Sequence, residues 1–308
     1  EGMASTNARH QEILKAVWQG ALPKNEVVYQ FPTKKLRMNG IEILETLKSE
    51  KRVFGTLLTN ASPYWPAKVA ELDLDFVFID TEHIAFDRTQ VSSLCHSFNA
   101  RNVAPFVRIP SPDPYQASMV SDDGACGIIA PYVETVEQVK KLVGAVKLKP
   151  IKGEILSKLL DGSDFTSREL KSYIEEANAD KVLVINIESV PAINALDDLL
   201  SVPGVDVALI GPHDLSCSLG IPEQYGHPEF QEAISTFIGK AQEHGVAPGI
   251  HFWSDLDQEI AWCQEGMQFL IHAADIIAFR ETMQRDLSAI RKRLGGSEAE
   301  GNGSTLNI

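Results

Sequence analysis

The chain has 308 residues, with 42 Asp and Glu against 28 Lys and Arg, a formal net charge of −14. A field of that sign repels phosphate backbones and anionic bilayers, so nucleic acid and membrane surfaces are excluded as partners of the chain as a whole. With 44% hydrophobic and 23% charged residues the composition is globular, and no apolar run approaches the ~20 residues of a membrane span.

In chain order, residues 1–50 read as an amino-terminal extension. Residues 11–19 carry Ile13, Leu14 and Val17 on one helical side, 22–37 are irregular around Pro23 and Pro32, and 41–47 form a short amphipathic helix. Eight strand-sized apolar runs follow, at 53–58, 76–79, 104–107, 127–130, 182–187, 205–210, 246–250 and 269–271. Runs this uniformly apolar suit parallel strands covered on both faces. Helical stripes lie between them: Val91, Leu94, Cys95 and Phe98; Val136, Val139, Val143 and Val146; and Phe230, Ala233, Ile234, Phe237, Ile238 and Ala241. Eight βα repeats over residues 51–294 predict an α/β fold, a (β/α)8 TIM barrel with a helical amino-terminal extension. A doubly wound sheet is the rival, but no GxGxxG follows the first strand. Residues 295–308, rich in Gly, Ser and Asn, predict a disordered tail. Four cysteines without metal-site or disulfide-framework spacing, and no signal-peptide segment, predict a reduced cytoplasmic protein.

Barrel chemistry sits at the carboxyl ends of strands. The second run is followed by Asp80, Thr81, Glu82 and His83, the third by Arg108, the fourth by Pro131, the fifth ends in Asn186, Ile187 and Glu188, the sixth in Gly211, Pro212, His213 and Asp214, and the seventh near His251. Glu188 and Asp214 on adjacent strands suit a hard divalent cation, although Asp214 also suits a helix N-cap. His83 reads as a general base or as a loop histidine bonded to a carboxylate. Arg108 reads as a stabiliser of developing negative charge or as the ion-pair partner of Asp80 or Glu82. His213, His251 and His272 carry no specific signal, and Tyr64 and Trp65 suit rim packing.

The segments Ile79-Asp80-Thr81-Glu82-His83, Val107-Arg108, Ser121-Asp122-Asp123-Gly124-Ala125, Ala130-Pro131, Ile187-Glu188 and Gly211-Pro212-His213-Asp214-Leu215-Ser216 stand in the order and spacing of the HpcH/HpaI aldolases. From about residue 53 to 294 the chain resembles this family, and its long lead-in resembles the fungal, macrophomate-synthase-like branch. The resemblance implies a divalent metal (Mg²⁺, or Mn²⁺ or Co²⁺) held by Glu188 and Asp214, and no organic cofactor. It implies catalytic roles for Arg108, which stabilises an enolate, for His83 as acid/base, for Asp122, which pairs with that histidine across a subunit interface, and for Asp80 as support. Substrate contacts fall to Arg108, Pro131, Asn186, and the backbone at His213 and Asp214. Two departures are visible. Lys152 in Leu148-Lys149-Pro150-Ile151-Lys152-Gly153 stands where the family carries arginine, and Asn186 stands where it carries glutamine; both are expected near the pocket.

The expected activity is a metal-dependent lyase forming pyruvate enolate from a 4-hydroxy-2-oxo acid, from oxaloacetate, or both. The partners are a small 2-oxo acid and further copies of the chain, as a hexamer built from three dimers. The alternatives are decarboxylation of oxaloacetate coupled to carbon–carbon bond formation with a 2-pyrone, a malyl-CoA-type lyase, and a barrel that has lost turnover and serves as a scaffold.

Overall fold

A computed structural model describes residues 38–294. The expectations for residues 1–37 and 295–308 lie outside the described residues. The strands are β1 (Val53–Leu58), β2 (Phe76–Asp80), β3 (Ala104–Arg108), β4 (Gly127–Ala130), β5 (Val182–Ile187), β6 (Val207–Ile210), β7 (Ala247–Phe252) and β8 (Phe269–Ala274). All pair in parallel, in chain order, and β8 closes onto β1. The chain folds as the (β/α)8 barrel that its alternating pattern predicts.

Strand ends differ from the sequence reading in ways that matter for chemistry. The β2–β3 ladder continues through the pair Asp80 and Arg108, so both are strand residues rather than loop residues. β7 and β8 run past His251 and His272, whose ladder partners are Ile271 and Phe252. Val205 falls before β6.

The ladder registers resolve the interior into layers. In this barrel class a shear of about 8 over eight strands shifts the level by about one residue per strand. One layer from the odd strands holds Gly55, Phe106, Val184 and Gly249. Above it the even strands supply Phe78, Ile129, Leu209 and Ile271. Next come Leu57, Arg108, Asn186 and His251, so polarity enters the interior at that level. The apolar levels are sealed, with Phe76, Phe106, Val184 and Phe269 fully buried. Phe76 stacks on Phe269 at 4.2 Å and lies 5.0 Å from Phe106.

Helix α1 (Gly40–Lys48) closes the amino-terminal end, placing Ile43 and Leu47 in the interior cluster. Its start is a reciprocal cap. Asn39 Oδ1 accepts from the Ile41 amide at 2.8 Å, and Glu42 Oε2 accepts from the Asn39 amide at 3.0 Å.

The outer layer comprises α2 (Trp65–Val69), α3 (Arg88–Asn99), α4 (Pro114–Asp122), α5 (Val136–Val146), α6 (Gly153–Leu160), α7 (Arg168–Ala177), α8 (Val190–Asn194), α9 (Leu196–Leu200), α10 (Pro212–Ser218), α11 (Pro228–Glu243), α12 (Leu256–Glu265) and α13 (Asp275–Arg293). The stripes read from the sequence on α3 and α11 are buried throughout, and on α5 Val136 alone stays partly open. Side chains of Asp87, Thr135, Ser167, Ser189 and Asp255 cap helices that follow them. None of the four cysteines forms a disulfide among the described residues. Among the described residues no helix is long and apolar enough to cross a membrane.

Glycine makes the layers interlock. A Cβ on Gly127 would stand 1.9 Å from Phe106 Cδ1 and 2.4 Å from Cγ, near the root of a ring with no room to move. A Cβ on Gly239, exposed in mid-α11, would meet nothing within 4 Å. Gly127→Ala is therefore expected to cost about 1–3 kcal/mol through overpacking, and Gly239→Ala to stabilise by up to about 1 kcal/mol. Urea unfolding of the two variants checks this; a shift of the same sign in both would contradict the interlocking.

Candidate active site

The strand geometry turns a run of charges inward at the carboxyl-terminal mouth. Asp80 is fully buried and takes the Arg108 guanidinium on both oxygens, from Nε at 2.8 Å and Nη2 at 2.7 Å. Glu82 follows in the loop, its amide bonded to Asp80 Oδ1 at 3.0 Å and its Oε2 3.1 Å from Arg108 Nε. The guanidinium lies 5.2 Å from the centroid of the Phe78 ring below it. Burial works to raise the Asp80 pKa, but the bond to Arg108 and its charge outweigh this and hold the carboxyl below the usual range. Arg108 Nη1 has no protein partner among the described residues.

Glu188 stands just past β5 and is 8% exposed. Its Oε1 accepts from the Tyr132 amide at 2.6 Å and its Oε2 from Asn186 Nδ2 at 3.0 Å. Even so, burial, with the charges of Asp214 and Glu82 adding to it, raises its pKa. Asp214 lies in the first turn of α10. Gly211 occupies the N-cap position and no side chain caps that helix, so Asp214 is not spent as a cap.

The point where a Gly211 Cβ would stand is 2.9 Å from Glu188 Oε2 and 3.8 Å from Asp214 Oδ2. Glycine thus leaves both carboxylates facing one gap. Hard oxygen donors with unbalanced charge around such a gap fit a divalent cation. Among the described residues no third His, Cys, Asp or Glu joins them as a ligand group, so other oxygens must complete a coordination shell.

Arg108 and Asp214 open onto a cavity of about 480 Å³. His83, Arg108, Asn186, His213, Asp214 and His251 line it, with Phe78 and Leu209 below and Tyr225 and Trp253 at the side. The His83 side chain is 45% exposed, and its Nε2 lies 3.8 Å from Glu82 Oε2. His213 Nδ1 lies 3.8 Å from Glu223 Oε1. Pro131 is buried at the end of β4 and aims the following Tyr132 amide at Glu188.

Some expected members lie elsewhere. Asp122 is ion-paired with Lys149 and is remote from the cavity of its own chain. The reason is its position at the end of α4, on the outer layer. Lys152 is exposed at the start of α6 and does not line the cavity, contrary to expectation, whereas Asn186 does. Trp65 donates to Asp275 at 2.9 Å and packs on the outer core, Tyr64 is exposed, and neither lines the cavity.

Sequence reasoning missed Tyr132. This residue takes a left-handed φ of 53°. The Glu82 carboxylate beside its hydroxyl pushes its pKa up to about 12. Tyr132 thus has Glu188 at its amide and Glu82 near its hydroxyl, and only its position after Pro131 hinted at this.

The raised Glu188 pKa has a consequence for stability. An ionised Glu188 destabilises the cation-free fold above its folded pKa, and the penalty fades as pH falls through that pKa toward the ordinary carboxylate range. In EDTA-treated protein at neutral pH, Glu188→Gln is expected to raise the thermal midpoint by a few degrees, with the gain vanishing in acid. Adding Mg²⁺ is expected to raise the wild-type midpoint and leave the variant's unchanged. A wild type indifferent to Mg²⁺ would contradict the cation fit.

Comparison with known proteins identifies the family. The model of the family described as HpcH/HpaI aldolase/citrate lyase matches residues 54–281. The 2-keto-3-deoxy-L-rhamnonate aldolase of Escherichia coli K12 is 29% identical over 265 residues, which is 84% of this chain and 96% of that enzyme. The crystal structure of an HpcH/HpaI aldolase from Desulfitobacterium hafniense DCB-2 superposes with a TM-score of 0.70 at 28% identity, covering 80% of this chain and 96% of that one. Macrophomate synthase shares the fold, with a TM-score of 0.69 at 23% identity over 90% of this chain and 97% of its own. The chain belongs to the HpcH/HpaI aldolase/citrate lyase family, and it is an enzyme of the aldolase and lyase class.

Proposed function

We propose that the enzyme is a divalent-metal-dependent carbon–carbon lyase that generates pyruvate enolate, by retro-aldol cleavage of a 4-hydroxy-2-oxo acid and by decarboxylation of oxaloacetate. The observation that carries this reading is that Arg108 and Asp214 line one cavity, while Glu188 stands behind its lining residue Gly211, on the same gap as Asp214. The name of the Escherichia coli relative, a 2-keto-3-deoxy-L-rhamnonate aldolase, supports an oxo-acid substrate.

Glu188 and Asp214 would hold Mg²⁺, Mn²⁺ or Co²⁺, with substrate oxygens and water as the other ligands. Bound there, the ion supplies a Lewis acid for the keto group. Arg108, fixed by Asp80 and Glu82, offers Nη1 to the oxygen on which enolate charge develops; a well-placed donor of this kind contributes about 3 kcal/mol. Its clamp removes the cost of reorganisation during the reaction. Backbone amides at His213 and Asp214, in the first turn of α10, lack intrahelical acceptors and suit the substrate carboxylate. His83 takes the proton of the C4 hydroxyl as the C3–C4 bond breaks, directly or through a water, and returns a proton to the enolate carbon. Decarboxylation breaks its bond without a base.

Neither departure from the family pattern disturbs this set. Lys152 lies outside the cavity, and Asn186 still donates to Glu188. A non-catalytic scaffold therefore loses its motive.

The chain is proposed to work as a homo-oligomer, a hexamer of three dimers. On α13, Ile276, Phe279, Met283, Leu287 and Ile290 are all exposed at spacings of three and four residues. Asp122, exposed on its own chain, is then available to His83 of a neighbouring copy. Four cysteines outside any disulfide support a reduced compartment, the cytoplasm.

Metal-stripped protein is expected to release no pyruvate from oxaloacetate above the uncatalysed rate, and Mg²⁺ or Mn²⁺ to restore release. His83→Ala should reduce retro-aldol turnover by about 10²–10⁴-fold while decarboxylation stays within a few-fold of wild type. Equal loss of both activities would refute the division of roles. Sedimentation should find an oligomer, and an active monomer would overturn the supply of Asp122 in trans.

A further inference from the structure

Arg108, Asn186 and His251 occupy one interior level of the barrel, directly above Phe78 and Leu209. Asn186 is 2% exposed. Its Nδ2 is committed to Glu188 Oε2, which fixes the amide orientation and leaves Oδ1 as a buried acceptor without a partner.

His251 is fixed in the same sense. Its Nε2 lies 3.1 Å from the Ala273 carbonyl, a group that can only accept. The hydrogen of a neutral ring therefore sits on Nε2, and Nδ1 presents a lone pair. Burial and the charge of Arg108 pull the pKa of this histidine down to about 4, so the ring stays neutral at physiological pH. Phe78 meets the ring edge-on at 5.7 Å and Trp253 packs at 4.9 Å.

The carbonyl that sets the tautomer comes from an irregular site. Between Gly55 and Leu57 of β1, the single residue Thr56 opposes two of β8, His272 and Ala273, because Gly55 pairs with Ile271 and Leu57 with Ala274. Ala273 within that bulge takes a φ of 54°, unusual for a residue with a Cβ. A bulge beside a catalytic cavity is a device for re-aiming groups, and here it supplies the partner of His251.

Two acceptors on one level of the cavity, with Gly211 just past the end of the intervening strand β6, call for a donor. An apolar methyl placed there leaves Asn186 Oδ1 unpaired, a penalty that sites built for hydroxyl groups use for discrimination. Under the lyase reading, the carboxylate and keto oxygens are drawn to the rim, to α10 and to the Glu188–Asp214 pair. The carbon beside the keto group then lies nearest this floor.

We propose that His251 is a specificity-determining residue that, with Asn186, accepts a hydrogen bond from a hydroxyl on the carbon next to the keto group, so that the enzyme prefers hydroxylated over 3-deoxy 2-oxo acids. The inference rests on the metal-dependent lyase reading and names the substrate class of the same site: cleavage of a 3-hydroxy 2-oxo acid forms the enolate of 3-hydroxypyruvate in place of that of pyruvate. It sets this chain apart from a relative named for a 3-deoxy acid.

The test is calorimetric titration of the full-length, Mg²⁺-loaded protein with pyruvate and with 3-hydroxypyruvate. Wild type is expected to bind 3-hydroxypyruvate at least about 10-fold more tightly. His251→Leu, with an unchanged thermal midpoint, should abolish or invert that preference, and His251→Gln, which keeps an acceptor, should retain part of it. Equal wild-type affinity for the two acids overturns the inference alone, whatever the variants do. A preference that survives in His251→Leu also overturns it. Failure of both acids to bind overturns the lyase reading and this inference with it.

Discussion

Four carboxylates and one guanidinium crowd the mouth of the barrel: Asp80, Glu82, Glu188 and Asp214 around Arg108. Buried charge of one sign is costly unless balanced. Asp80 meets that cost through its two-point bond to Arg108 and remains an anion. Glu188 does not, because its two donors are a backbone amide and an amide side chain, neither of which brings a charge. The fold thus holds one acid in balance and one out of balance, and the unbalanced acid faces the gap beside Gly211. The proposed cation binding and substrate polarisation both rest on that asymmetry.

The barrel below makes this arrangement rigid. Its lower levels are filled by Phe76, Phe106 and Phe269, accommodated by Gly55, Gly127 and Gly249. Polar side chains enter only where strand ends supply them with partners. Arg108 is therefore gripped from Asp80 on the adjoining strand and supported by Phe78 from beneath. Proteins accept the instability of such a site in return for preorganisation.

Much of this was legible in the sequence because parallel strands are continuous apolar runs and the first polar residue after each run marks the functional face. That rule located Asp80, Arg108, Glu188 and Asp214, which line or border the cavity. It misplaced His251 and His272, because β7 and β8 continue past them and a polar residue in a strand looks, from sequence, like the end of one. The two histidines then diverge. His251 turns into the barrel, while His272 turns outward to Glu259 at 2.7 Å, a pairing that raises its pKa. Tyr132 and the β8 bulge left no trace in composition or periodicity, since both depend on single backbone torsions. Asp122 was legible only through resemblance; its place at the end of α4 gives it Lys149 within its own chain.

The helix that plugs the opposite end has a kinetic meaning. Among the described residues, Ile43 and Leu47, seated under the aromatic stack, close the rear of the interior. Among these same residues, the way to Asn186 and His251 runs past His83 and Trp253. Traffic through a blind corridor is sequential: the guest lodged deepest is first in and last out, and a second reactant can only queue above it.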